Sequence, residues 1–383
     1  MKRTLTAIAM LCAALAATAQ AQTPDPMAGA AHHVTIMDGA SGAILYCHDC
    51  ETPMPPASMS KLMTVEIVAD EIRAGRINMN TRFRVSENAW RHGAMSDGSH
   101  MFLDLNSEVT VGDLLRGLII VSANDAGIVL AEGIAGSEAA FVQRMNARAR
   151  EMGLRSAHFV NVTGLPVEGH VISSADLARL ARHLMTSNPG LYNLYSQRSF
   201  TYNNRTQENR NPLLGAAEGA DGVKTGHTAD SGYGLIGSAV RDGQRRIIVF
   251  NGTNSMAERR SEGLRLINAA FSEFSLRRVA SANQQVGEAQ VWLGSRRTVP
   301  LLAQQDIIVG GPARDQNSLT ARIVYDGPIH PPITEGAVVA HLVVEGPNFT
   351  AQRFPLVAGR NIGRANWFAR AWEGLLLTLS GPS

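Results

Sequence analysis

The chain has 383 residues, 45% hydrophobic and 18% charged, with 35 Lys and Arg against 33 Asp and Glu. This is the composition of an ordinary globular protein, and charges so near balance give a nucleic-acid partner no electrostatic support. The length exceeds what one typical hydrophobic core fills, so two domains are expected.

The chain opens with the basic Met1-Lys2-Arg3, then an apolar run, Leu5 to Ala17, too short to span a bilayer comfortably. Ala19-Gln20-Ala21 places small residues where a signal peptidase cuts. Residues 1–21 are therefore read as a cleaved secretory signal and set aside from the fold. Cys12 follows Leu11 rather than Gly or Ala, unlike a lipoprotein cleavage site. Loss of Lys2 and Arg3 brings basic and acidic residues into balance.

From residue 34 to 46, H-V-T-I-M-D and G-A-I-L-Y read as two short strands joined by a turn at Gly39-Ala40-Ser41-Gly42. Ser58 to about Ile72 has helical spacing at Leu62, Val65 and Val68-Ala69, with Glu66 and Asp70 falling elsewhere. Residues 110–120 and 123–135 predict two buried helices parted near Ser122. Ser137 to Met152 predicts an amphipathic helix with Arg144, Arg148 and Arg150 exposed and Gly153 as its stop. A further helix runs from Ser173 to Met185. Two β-rich runs, Gly232–Val240 and Arg245–Asn251, flank the turn Arg241-Asp242-Gly243, and a helix over about Ala257–Phe274 follows. After Arg277 the texture changes to short apolar or alternating runs broken by Gly and Pro, which indicates a small β domain.

Three polar stretches interrupt this pattern. Ser58 and Lys61 stand three apart at a helix start, and positions i and i+3 share a helix face, about 5–6 Å between Cβ atoms. A serine hydroxyl needs a base in contact, and a lysine supplies one only when burial or neighbouring charge lowers its pKa. Ser122-Ala123-Asn124 lies between two apolar runs, where polar side chains need partners or chemistry. Lys224-Thr225-Gly226 is read as entering the strand that continues as Gly232–Val240. Singly these are a helix start, a helix cap and a surface turn. Together, in this order, they argue against coincidence and for Ser58 as a nucleophile with Lys61 as its proton acceptor.

The order Ser-x-x-Lys, Ser-x-Asn, Lys-Thr-Gly is that of class A β-lactamases and penicillin-binding proteins. The chain resembles the low-molecular-mass penicillin-binding proteins, serine-type D-alanyl-D-alanine carboxypeptidases, through M-P-P-A-S-M-S-K-L-M-T, G-S-H-M-F, G-L-I-I-V-S-A-N-D-A, F-V-N-V-T-G-L, D-G-V-K-T-G-H-T and S-G-Y-G-L-I-G-S-A. P-I-H-P-P-I-T-E-G extends the likeness into the β domain. The resemblance implies an α+β fold. A β-lactamase/transpeptidase-like catalytic domain over residues 28–277, an antiparallel sheet flanked by helices, would precede a small all-β domain over 284–358.

The implied chemistry is attack by Ser58 on the carbonyl between two D-alanines of a peptidoglycan stem peptide, with Lys61 taking the serine proton. Ser122 and Lys224 would relay a proton to the leaving amine, and Asn124 would orient Lys61 or the substrate amide. The N–H groups of Ser58 and His227 would form an oxyanion hole. The strand through Thr225 and Gly226 would pair with the peptide, and Arg210 would hold its carboxylate. β-Lactams would acylate the same serine. No metal or cofactor is needed for this acyl transfer. Class A β-lactamases deacylate with a loop glutamate; the nearest counterpart here is Glu168, without the Leu-Asn that should follow, so efficient β-lactamase activity is not expected. An endopeptidase or weak β-lactamase on the same fold and a non-catalytic wall-binding scaffold are the alternatives.

Two features stand apart from the catalytic motifs. Cys47-His48-Asp49-Cys50 suits a local disulfide in an oxidising compartment, an inert thiol pair, or part of a metal site that would need further ligands. Residues 360–380 align Phe368, Trp372, Leu375, Leu376 and Leu379 along one side, with Arg364 and Arg370 mostly elsewhere. This amphipathic pattern suits a lipid–water interface. The protein is expected in the periplasm, held by this helix on the outer face of the inner membrane.

Overall fold

The computed structural model describes residues 27–95, 98–346 and 349–365. The expected signal segment and most of the expected amphipathic tail lie outside these residues.

Strands β1 (His33–Asp38) and β2 (Ile44–His48) form the opening hairpin, its turn closed at Gly42 with φ 76°. A 3-10 turn over Ala57–Ser60 leads into α1 (Lys61–Arg73), so Ser58 sits on the turn rather than in the helix proper. Next come β3 (Arg82–Arg84), α2 (Glu87–Met95), β4 (Glu108–Thr110), which pairs with β3, and α3 (Val111–Arg116). A wider, π-type turn over Gly117–Val121 carries α3 to Ser122, whose φ of 65° breaks the helix before α4 (Asn124–Ala135) begins. The helices α5 (Glu138–Glu151) and α6 (Ser174–Ser187) are each started by a serine. Ser137 and Ser173 accept from the backbone N–H three residues on, at 3.2 and 3.1 Å. The short α7 (Pro189–Tyr192) and the hairpin of β5 (Ser199–Tyr202) and β6 (Arg205–Glu208) complete the helical side.

Three long strands close the domain: β7 (Ala220–Thr228), β8 (Gly232–Arg241) and β9 (Gln244–Thr253). With the opening hairpin they make a five-stranded antiparallel sheet in the order β2-β1-β9-β8-β7. Lys224-Thr225-Gly226 therefore lies within its own strand, β7, and Gly232–Val240 belongs to the next strand back. The expectation of one continuous strand is corrected here: Asp230-Ser231 makes a tight reversal whose side chains are short, and Ser231 Oγ accepts from Thr228 N at 3.1 Å. Helix α8 (Met256–Ser272), capped by Ser255, packs on one sheet face and α6 on the other.

Helix α1 is buried on almost every side. Glu66 has no exposed side-chain surface and pairs with Arg148 of α5 at 2.7 Å, while Arg144 pairs with Glu71. The expectation that Arg144 and Arg148 stand exposed is thus corrected: both are drawn inward by carboxylates of α1, and only Arg150 faces solvent.

Strands β10 (Phe274–Ala280), β11 (Gln285–Gln290), β12 (Thr298–Ala303), β13 (Ile307–Pro312), β14 (Thr320–Val324), β15 (Val338–Gly346) and β16 (Phe349–Ala358) form the second, all-β part. Five of them pair in the order β11-β12-β16-β15-β14 around a separate apolar core that includes Val299, Leu301, Leu342 and Leu356. Strand β13 pairs with β10 and lies against β2, where Gly310 leaves no room for a side chain beside Leu45. No helix among the described residues is long and apolar enough to cross a membrane.

Candidate active site

The turn that carries Ser58 is wedged against β7. A Cβ added to Gly226 would sit 2.8 Å from the Pro56 carbonyl oxygen, so glycine there allows strand and turn to touch. On the other side, the loop Asn161–Leu165 closes over the same turn. Gly164 has φ 78°, and a Cβ on it would lie 2.0 Å from the Ala57 carbonyl oxygen. Asn161 Oδ1 accepts from the N–H groups of Thr163 and Gly164, at 3.1 and 2.7 Å, which fixes the loop in place.

Lys61 Nζ donates to Ser58 Oγ at 2.9 Å and to the Thr163 carbonyl. The lysine is 1% exposed. Burial, reinforced by the charge of Arg210 and opposed by Asp125, lowers its pKa to about 7. A lysine that ordinarily becomes half neutral only near pH 10.5 is here close to half neutral at neutral pH, as a base must be. Lys224 on β7 is also buried, and burial together with the charges of Lys61, Arg210 and Arg259 pulls its pKa well below the usual lysine range.

Ser58, Ser122, Asn124, Arg210, Thr225, Gly226 and His227 line one cavity of about 440 Å³. Ser122 Oγ is buried and has no hydrogen-bond partner among the described residues, and its left-handed backbone at the break between α3 and α4 is what brings it to the cavity wall. Asn124 N donates to Ser99 O at 2.7 Å, tying the start of α4 to the loop before Met101. Arg210 is exposed over much of its surface and reaches the cavity from the segment after β6. The His227 ring stacks on Tyr233 with centroids 3.8 Å apart, and its own pKa is lowered by burial and by Arg259.

Sequence reasoning missed two contributors. The Thr163 carbonyl is a backbone group, invisible to any reading of side chains. Its signal was Gly164, two residues after an apolar strand-like run, whose positive φ only the fold explains. Arg259, on α8, is 7% exposed, lies over the Tyr233 ring at 5.5 Å and lines the cavity, its Nε without a hydrogen-bond partner among the described residues. Nothing in its spacing marks it. No described acidic residue lines this cavity, so it is a cationic recess suited to a carboxylate-bearing acyl compound.

Glu168 lies outside this cavity, in an adjoining one. Cys47 and Cys50 are joined by a disulfide, which settles the alternatives that their spacing left open. Among the described residues no group of three or more His, Cys, Asp or Glu converges as a metal site would require.

Comparison with known proteins gives matches along nearly the whole chain. The family model described as D-alanyl-D-alanine carboxypeptidase matches residues 18–254, and that described as penicillin-binding protein 5, C-terminal domain, matches residues 274–364. The chain is 33% identical over 351 residues to the D-alanyl-D-alanine carboxypeptidase DacA of Haemophilus influenzae, covering 90% of this chain and 88% of that one. It is 31% identical over 351 residues to the carboxypeptidase DacF of Bacillus subtilis, covering 89% and 88%. Among solved structures, penicillin-binding protein 5 from Haemophilus influenzae matches with a TM-score of 0.71 at 33% identity, over 88% of this chain and 98% of that one. Penicillin-binding protein D2 from Listeria monocytogenes, solved in an ampicillin-bound form, matches with a TM-score of 0.57 at 28% identity, over 63% and 97%.

Proposed function

The chain belongs to the serine D-alanyl-D-alanine carboxypeptidase family, and from that premise we infer that Ser58 is its nucleophile and Lys61 its base. The activity is hydrolysis of the bond between two D-alanines by way of an acyl-enzyme. The observation that carries the assignment of residues is the 2.9 Å contact between Ser58 Oγ and a buried Lys61 whose pKa has fallen to about 7.

Neutral Lys61 accepts the Ser58 proton as Oγ bonds to the scissile carbonyl carbon. The negative charge that develops on the carbonyl oxygen is met by the N–H groups of Ser58 and His227. When the tetrahedral species collapses, the C–N bond breaks and the leaving amine needs a proton. Ser122 and Lys224 relay to it the proton that Lys61 took from Ser58, which returns Lys61 to its neutral form, and Asn124 orients the substrate amide or Lys61. Water then attacks the acyl-enzyme, with Lys61 again as base. Arg210 holds the terminal carboxylate, assisted by Thr225 and by Arg259, and the peptide lies along β7 as an added strand. β-Lactams, which carry a strained acyl group beside a carboxylate, enter the same recess and acylate Ser58.

The natural substrate on this reading is the peptidoglycan stem pentapeptide. The signal-like residues 1–21 and the amphipathic pattern of the tail support a periplasmic enzyme bound peripherally to the outer face of the inner membrane. The test is release of free D-alanine from a muramyl-pentapeptide by the mature protein beside Ser58→Ala. Release by the wild type alone is expected. A folded wild type that releases none would overturn the assignment and favour an endopeptidase or a scaffold.

A further inference from the structure

Two cavities meet at Gly164-Leu165 and at Thr228, residues that line both. The first is the acylation cavity. The second, about 420 Å³, has apolar walls from Pro55, Pro166 and Val171 and carries the carboxylates of Glu168 and Asp230. The two are opposite in charge. Arg210 and Arg259 line the first, which has no acidic residue, whereas no Lys or Arg lines the second. Neither Glu168 nor Asp230 is paired with a described residue by hydrogen bond or ion pair. His170, also in the wall of the second cavity, is held neutral at physiological pH, because burial, with the charges of Lys61 and His158, lowers its pKa to about 4. It therefore offers no repulsion to a cation.

The carboxypeptidase reading gives the peptide its direction. With the terminal carboxylate at Arg210 and the scissile carbonyl at Ser58, the N-terminal part of the substrate leaves along β7 past His227, over Thr228 and toward Asp230. An extended chain advances about 3.3 Å per residue. The residue that precedes the two D-alanines thus comes opposite the end of β7, beside the mouth of the second cavity.

We propose that this second cavity is the subsite for the side chain of that preceding residue, and that Glu168 and Asp230 select a side chain ending in a free ammonium. The apolar walls fit the methylenes of such a side chain and the two carboxylates its charge. The proposal rests on the carboxypeptidase reading for the direction of the peptide.

Binding separates the two claims. The mature Ser58→Ala protein is titrated with Nα-acetyl-L-Lys-D-Ala-D-Ala and with the Nα,Nε-diacetyl peptide, and the titrations are repeated after adding Glu168→Gln and Asp230→Asn. The free-ammonium peptide is expected to bind about five- to twenty-fold more tightly, the range for a charge-assisted contact at a part-exposed site. In the added double variant that ratio falls to about one, with the diacetyl affinity unchanged. Equal affinity of the two peptides for Ser58→Ala, persistence of the ratio in the double variant, or loss of both peptides together would each overturn the subsite. D-Alanine release by the Ser58-intact protein is measured in parallel. Failure there, with the binding ratio intact, removes the activity reading and leaves the subsite standing.

Discussion

At the scale of single residues, the decisive quantity is the protonation of Lys61. Burial is the largest cause of its lowered pKa, and the charge of Arg210 is the next. The base form exists above the folded-state pKa, so acylation of Ser58 by benzylpenicillin should rise through about pH 7 and level off above it. Arg210→Ala removes a positive neighbour and makes protonation of Lys61 easier. The midpoint of that rising limb should then move to higher pH, whatever happens to its height. A stopped-flow pH profile of both proteins checks this, and an unmoved or lowered midpoint would count against electrostatic contact between the two. The pairing of Ser58 with Lys61 was legible once their spacing was read together with Ser122-Ala123-Asn124 and Lys224-Thr225-Gly226. The contact of Lys61 with the Thr163 carbonyl was not, because a carbonyl has no letter of its own.

At the scale of elements, the loop over Asn161–Leu165 and the hairpin that ends at the disulfide make contrasting predictions. Gly164→Ala places a Cβ against the Ala57 carbonyl in a left-handed conformation. The conformational cost is about 1–2 kcal/mol, and overpacking adds a further 1–3 kcal/mol or so. The loop should relieve this by moving off the nucleophile turn, so that thermal stability falls and Ser58 acylation slows at least tenfold. Differential scanning calorimetry and labelling with a fluorescent penicillin read the two effects. The Cys47–Cys50 disulfide, in contrast, closes a very short loop, and such a cross-link is worth only about 2 kcal/mol. Cys47→Ser with Cys50→Ser should lower the melting temperature by a few degrees and leave the acylation rate within twofold. A large loss of rate would mean that the link also positions Ser58, since Cys50 O accepts from Ala175 N at the start of α6. Most elements were legible in outline from periodicity and serine caps. Strand β7 was misread because Thr, Gly, His and Thr carry little β pattern, and it becomes a strand by pairing with β8.

At the scale of the whole molecule, the two parts have separate apolar cores, and the residues proposed as catalytic all belong to the first. Chemistry on a soluble peptide should therefore be indifferent to the tail. A mature chain ending at Ala365 is expected to release D-alanine from a soluble pentapeptide at the wild-type rate within twofold. It should also fail to float with anionic phospholipid vesicles that the full mature chain binds. Flotation of the shortened chain would sink the tail's proposed role, and a large loss of turnover would show that the tail supports the fold.

The sequence by itself determined the order of chemistry along the chain: a serine with a lysine one helical turn on, a second serine and asparagine at a helix break, and a lysine entering a sheet. It also determined the two-part architecture, because the change from helical to alternating patterns near residue 277 is a local property of composition. Only the tertiary structure decided that Glu66, off the apolar face of α1, would be wholly buried against Arg148, and that Arg259 would join the site from a distant helix. It likewise brought Glu168 and Asp230 to one cavity. The reason is the same throughout. Periodicity reports which face of an element meets the core, whereas a site is made where unrelated elements meet, and that meeting is set by packing between segments far apart in the chain.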